Sequence, residues 1–165
     1  MAPPTPKSLS HISLLYRIYF LYFEPFGAVS GTYLCIFRPQ RFLSGTLPLP
    51  AYLAFSSPSP SSISARTIPL TPLHTLLLIN IASLYLLFAV TEGVVLRLTR
   101  QKSIWLAVIV GMACADVGHL GAVWWVEPGR MAEFAGWNSD EWINYGTLIM
   151  GLGLRLAFLA GVGRR

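Results

Sequence analysis

Asp116 and His119 stand three residues apart in the stretch Ala113-Cys114-Ala115-Asp116-Val117-Gly118-His119-Leu120. That stretch is the middle of an apolar run from Ser103 to Val126, long enough to cross a bilayer. A carboxylate at mid-membrane costs roughly 2.5–3.5 kcal/mol even on the lenient insertion scale, so something must offset it. Three residues make nearly one helical turn, which puts both side chains on one face. A carboxyl group beside an imidazole in a low-dielectric site can donate, orient or relay a proton, which is general acid/base chemistry.

Glu24 and Arg155 lie at comparable depth in other apolar runs. The mid-depth count is then two acids, one permanent cation and one histidine. Arg155 neutralises one acid, through an Asp116–Arg155 or a Glu24–Arg155 pair. The other acid carries a proton or pairs with protonated His119. Two readings stay open: a catalytic site using Asp116, His119 and Glu24, or a satisfied polar network that fixes helix register. Removing one partner of such a pair would strand the other charge.

Other polar residues sort around these. Arg17, Glu24, Gly27 and Gly31 share a stripe, and Arg17 joins Arg155 and Glu92 in the expected set of structural ion-pair residues. Pro25 removes a backbone hydrogen bond to the Leu21 carbonyl and should kink the helix beside Glu24. Asn80 and Tyr85 fall in the next run, Asn80 as an interhelical donor. Glu92 lies near a basic turn, where Arg97 or Arg100 would pair with it at the interface. Asn144, Thr147, Gly151 and Arg155 share one face by steps of three, four and four. Asn80, Tyr85, Trp124 and Asn144 are the candidate substrate contacts. A metal would need more ligands than Asp116-x-x-His119 supplies. Glu24 or Glu92 could complete a set, but His11 and His74 lie near span ends. Neither a metal nor another cofactor is expected. A Ser-His-Asp triad lacks a placed nucleophile.

The elements that carry these residues follow from composition. Hydrophobic residues make up 54% of the 165 and charged residues only 12%, far from the roughly 25% charged of soluble domains. The net charge of +5 comes without a basic stripe interleaved with aromatics, and the cations sit at the ends of apolar runs, so nucleic acid is excluded as a partner. The expected fold is all-α, an integral membrane four-helix bundle with spans of about 12–37, 72–96, 103–126 and 142–162. Residues 1–11 form a polar, disordered leader, and 163–165 a basic tail. The 12–37 run is too long, and too broken by Arg17 and Glu24-Pro25, for a signal peptide. Residues 38–71 form a Pro/Ser-rich linker that cannot be one continuous helix, and Leu47 to Phe55 dips into the interface. Cys35 and Cys114 read as small buried hydrophobes.

Six cations on the side of both termini against four on the other favour cytosolic termini, in a membrane such as the endoplasmic reticulum. Gly27-x-x-x-Gly31, Gly111-x-x-x-Ala115, Gly118-x-x-x-Ala122 and Gly153-x-x-x-Ala157-x-x-x-Gly161 let backbones approach. They serve either packing within one bundle, the favoured reading, or the seam of a homo-oligomer.

Phe23-Glu24-Pro25 with its downstream glycines, Asn80 with Tyr85 and Glu92, Ala115-Asp116-Val117-Gly118-His119, and Trp142, Asn144-Tyr145-Gly146 and Arg155 occur in an order that resembles a family of small fungal four-span membrane proteins known as a domain of unknown function. The resemblance covers the chain except the proline-serine linker. It implies a four-span fold and no assigned chemistry, with some relatives in natural-product pathways. In architecture, not motif, the chain is also similar to emopamil-binding-type sterol isomerases and to the membrane-bound terpene cyclases of fungal meroterpenoid pathways. Those likenesses imply an isomerase or cyclase in secondary metabolism. It would act on a hydrophobic, isoprenoid-like or polyketide-like molecule, with Tyr85 and the tryptophans offering π faces to a developing carbocation. The alternative is a non-enzymatic lipid-binding or scaffold protein whose polar core is structural. Hydrophobic small molecules and membrane lipid are the expected partners. Transport ranks third, since four short spans make a thin pathway.

Overall fold

The computed structural model describes residues 12–59 and 62–163. The expected leader up to His11 and the last two residues of the basic tail lie outside them. Four helices are long and apolar enough to cross a membrane: α1 (Leu14–Phe37), α4 (Pro72–Leu98), α5 (Lys102–Val126) and α7 (Ser139–Leu159). Between them lie α2 (Pro39–Thr46), α3 (Leu49–Phe55), a short antiparallel hairpin β1 (Ser57–Ser59) and β2 (Ser62–Thr67), and α6 (Pro128–Ala132). The fold is all-α in its bulk and fits a four-span membrane protein.

Helix boundaries follow local chemistry. Pro39 and Pro72 stand in the first turns of α2 and α4, where a missing N–H costs nothing. Thr71 caps α4 reciprocally with His74. The fourth span begins three residues before the Trp142 expected from hydropathy, because Asn138 and Glu141 form a capping box ahead of it. The linker is not one helix, but its prolines start two short ones instead of abolishing helix altogether. At the far end α7 unwinds through Gly161 and Gly163, at φ 91° and 67°, values glycine adopts without strain.

The spans pack chiefly as two pairs, α1 with α4 and α5 with α7. Gly31 makes the first pair close: a Cβ there would lie 3.0 Å from Cδ2 and Cε2 of Tyr85. Thr32 donates from its hydroxyl to the Ala82 carbonyl at 3.2 Å across the same contact. Lower down, Pro25 packs over Gly93, where a Cβ would meet Pro25 Cβ at 3.2 Å. The two pairs are tied to each other at both ends. At the end of the termini, the Ser13 N–H donates to the Gly163 carbonyl at 3.1 Å. There Tyr16, Phe20, Trp105 and Phe158 form an aromatic plug, Phe158 meeting Tyr16 edge-on at 5.2 Å. At the other end, Tyr145 Oη donates to the Thr46 carbonyl at 3.1 Å, and Glu141 accepts from Leu49 N–H at 3.1 Å and from Arg130 Nε at 2.8 Å.

The kink expected at Pro25 takes a different form. Tyr19–Phe23 is a π-helical turn, and the α-helix restarts at Glu24 with Pro25 in its first turn. The wide turn accommodates the absent N–H. Thr91–Val95 and Trp142–Gly146 are π-helical turns in the second and fourth spans.

The small-residue stripes divide. Gly31 packs inside the bundle, whereas a Cβ at Gly27, Gly111, Gly118 or Gly153 would meet nothing within 4 Å. The favoured reading of all the stripes as internal seams therefore fails at these positions, and Cys114 beside them is exposed. Gly31→Val should cost about 1–3 kcal/mol through overpacking against Tyr85. Gly118→Val should be neutral in the isolated protein. Thermal unfolding of the detergent-solubilised variants checks both, and a marked loss at Gly118 would show that another copy covers that face.

Candidate functional site

Each spanning helix contributes one charged side chain to a single buried cluster. Arg155 of α7 is 2% exposed. Its Nη1 donates to Oδ2 of Asp116 on α5. Its Nη2 donates to Oε1 of Glu24 on α1 at 2.6 Å and to Oε1 of Glu92 on α4 at 3.4 Å. The planar guanidinium fork suits this division between carboxylates. Its carbon also lies 5.7 Å from the centroid of the Phe20 ring.

The backbone brings these groups together. Glu24 follows the π-helical turn of α1, and Glu92 lies within that of α4. The Pro25–Gly93 contact next to them sets the two glutamates side by side. On α7, Gly151 leaves the space the cluster occupies: a Cβ there would lie 2.9 Å from Arg155 Nη1, 2.9 Å from Tyr19 Oη and 3.2 Å from Glu24 Oε1. Asn144, Thr147, Gly151 and Arg155 do share the inward face, and the Thr147 carbonyl accepts from Tyr19 Oη at 3.5 Å. Glu24 also lies within hydrogen-bonding reach of Glu92 and of Tyr19, and among the described residues Arg155 Nε is buried with no partner.

Both acids matched to Arg155 by depth, Asp116 and Glu24, touch it. Glu92 is in an ion pair, as expected, but its partner corrects the sequence reading: it is 1% exposed and joins Arg155 in the cluster, not Arg97 or Arg100 at the interface. Arg97 instead donates to the Leu21 carbonyl at 2.5 Å and lies over the Tyr22 ring. Arg17 is a second correction: among the described residues it joins no ion pair, and its Nε is buried without a partner.

Above the cluster the helix pairs diverge and enclose a cavity of about 510 Å³. Its floor holds Glu24, Glu92, Asp116 and Arg155, and its wall includes Phe23, Phe42, Tyr85, Phe88, Met112 and Leu148. His119 lines it one turn above Asp116 and makes no hydrogen bond among the described residues. Phe26 and Ile143 line it while being 74% and 66% exposed, so it opens sideways between α1 and α7. Asn144 lines the upper part, its amide 3.4 Å from the Gly45 carbonyl. Arg41 and Asp140 form a two-pronged pair at the rim, at 2.5 and 2.6 Å. The hydrogen bond to Asp140 holds the Arg41 guanidinium above its ordinary range.

Asn80 and Trp124 do not reach this space. Both are exposed on the outer surface, Trp124 at 56%. The aromatic faces of the cavity come from Tyr19, Phe23, Phe26, Phe42, Tyr85 and Phe88, and no tryptophan lines it. Run length gives depth, but no sequence signal told which way these residues face.

Arg155→Leu should strand three carboxyl groups and cost about 3–5 kcal/mol, as loss of one partner of a buried pair does. Adding Asp116→Asn or Glu24→Gln should recover part of the folded protein in fluorescence size-exclusion profiles. Gly151→Ala should lower the folded fraction too, by driving a methyl group into Arg155 and Tyr19.

No curated protein and no solved structure matches this chain. The family described as a domain of unknown function, DUF7704, matches residues 9–165. The four apolar spans, the acids gathered by Arg155 and that near-complete match have one conclusion: the chain belongs to the DUF7704 family.

Proposed function

We propose that the protein is an intramembrane acid/base enzyme of the isomerase or cyclase kind, acting on a hydrophobic small molecule. The observation that carries this reading is the placement of three carboxyl groups and one guanidinium on the floor of an apolar, sideways-open cavity. Three carboxylates around one guanidinium would leave two uncompensated negative charges, so the cluster is a natural store of protons. Glu24 and Asp116 are the members with side chains accessible from the cavity, at 15% and 9% against 1% for Glu92.

The chemistry needs no oxidant. A carboxyl group donates its proton to a carbon–carbon double bond, leaving a carbocation. A neighbouring carbon then returns a proton to a carboxylate and the double bond has moved; for a cyclase, a second double bond of the substrate first attacks the cation, forming the ring bond and shifting the cation, before that proton is lost. The aromatic faces of Phe23, Phe26, Tyr85 and Phe88 supply π density to the cation. His119, one turn from Asp116 and without a hydrogen bond among the described residues, relays the proton. A substrate dissolved in the bilayer enters between α1 and α7. The likeness to sterol isomerases and membrane-bound terpene cyclases points to the same class, and to an isoprenoid-like or polyketide-like substrate in fungal secondary metabolism. The competing reading, a lipid-binding scaffold, draws on the ties that already join all three acids to Arg155.

Lipids extracted from a host with and without the protein, compared by mass spectrometry, should differ by a product isomeric with its precursor. Asp116→Asn keeps shape and removes the titrating proton. It should stay folded and lose that product at least about 100-fold, the lower end for general acid catalysis. Full product from well-expressed Asp116→Asn would exclude Asp116 as the essential acid. If the cluster is structural only, Asp116→Asn should be tolerated and Asp116→Leu should not.

We also propose that both termini are cytosolic and that the protein sits in the endoplasmic reticulum, a topology supported by the six cations on the side of the termini against four on the other. Tags at either end should be cut by protease added to sealed microsomes, and protection of either tag would overturn that topology.

A further inference from the structure

Asp140 and Arg155 belong to one helix and stand about 22 Å apart along it at the helical rise of 1.5 Å per residue. Both line the same cavity, Asp140 at the rim with Arg41 and Arg155 at the floor. Between these polar ends the walls are mainly apolar, from Phe42, Tyr85, Phe88 and Leu148, with His119 and Thr147 among them. The rim pair is reachable, with side chains 54% exposed for Arg41 and 27% for Asp140. Asn144 adds a carboxamide to the same mouth, and its Oδ1 accepts no hydrogen bond among the described residues.

The electrostatics of the two ends restrict the occupant. The Arg41–Asp140 pair carries no net charge and presents a donor edge and an acceptor edge side by side. A phosphate or diphosphate bound at Arg41 would face the Asp140 carboxylate, a like charge in direct contact. The floor holds more carboxyl groups than cations, so an anion finds no better place there. A hydroxyl or carbonyl head, by contrast, can accept from Arg41 and, if it carries a proton, donate to Asp140.

Resting on the acid/base reading of the floor, we infer that the substrate is an elongated neutral amphiphile: its hydroxyl or carbonyl head sits at Arg41, Asp140 and Asn144, and its apolar, unsaturated end reaches Glu24 and Asp116. The head subsite sets which molecules bind and in which direction. The floor then acts on the end remote from the head.

Three probes of one chain length test this with the full protein in lipid nanodiscs: farnesol, farnesyl diphosphate and the headless hydrocarbon farnesene, each measured by equilibrium binding. Farnesol should bind most tightly. Arg41→Leu should weaken farnesol about tenfold, the worth of one hydrogen bond to a charged group, and leave farnesene unchanged. Asp140→Asn keeps the shape of the rim and gives it a net positive charge, so farnesyl diphosphate should gain at least about tenfold. Tighter binding of the diphosphate than of farnesol by the wild type would overturn the inference, whether or not either variant folds. So would an equal loss of farnesol and farnesene in Arg41→Leu, or a folded Asp140→Asn with no gain for the diphosphate. Asp116→Asn should keep the wild-type order of the three affinities. In the wild type, absence of the expected order with product still formed would refute the rim subsite alone, and an intact order with no product formed would refute the acid/base reading alone.

Discussion

One guanidinium holds the four spans together. Arg155 reaches Glu24, Glu92 and Asp116, so every helix of the bundle is linked through it to the other three. In a bilayer the apolar faces of these helices gain little by leaving lipid for each other, and interhelical polar contacts and close backbone approach take over. Exposed leucines and phenylalanines cover the spans on the outside, as a lipid-facing surface allows. The specificity of the assembly lies in the few positions where a charge, a proline or a glycine had to be matched across helices.

Local backbone irregularity is what lets one side chain serve three partners. Regular α-helices would advance Glu24 and Glu92 past each other at fixed steps. The π-helical turns at Tyr19–Phe23 and Thr91–Val95 widen the helix where the two glutamates must point inward. The Pro25–Gly93 contact supports that arrangement, since a Cβ at Gly93 would press on the proline ring at 3.2 Å and push the two helices apart by a few tenths of an ångström. Ties at both ends of the bundle, through Ser13 and Gly163 and through Tyr145 and Thr46, then hold the helix pairs apart over the cluster. The cavity is a consequence of that frame: the chain meets itself at floor and rim, and not between.

What the sequence disclosed was depth, and what it withheld was direction. Apolar run length fixed the four spans, and matched depth pointed Asp116 and Glu24 toward Arg155. The step of three and four residues put Asn144, Thr147, Gly151 and Arg155 on one face, which the structure turns inward. Glu92 forms the expected kind of ion pair but with a different partner, because its nearness in sequence to a basic turn says nothing of which way it faces. Its side chain points into the bundle, while Arg97 turns to the Leu21 carbonyl. Asn80, Trp124 and the outer glycines failed for a related reason. The second and third spans are apolar almost all round, so no hydrophobic stripe marks an inward face. The role of Gly151 was out of reach as well, because its meaning depends on Tyr19, Glu24 and Arg155 meeting over it.

The number of acids bears on whether the cluster is only a fastening. One carboxylate neutralises one guanidinium. Each further buried carboxyl adds a desolvation cost that the same cation cannot fully offset. A bundle fastened by polar contacts alone would be better served by neutral amides, which join helices without surplus charge. Here two acids beyond the first are present, Glu24 and Glu92 lie within hydrogen-bonding reach of each other, and the group borders an open apolar space. An excess of proton-holding groups beside a cavity is costly for stability and useful for moving protons. That asymmetry weighs toward chemistry at the floor, with the structural ties as the means of keeping the acids in place.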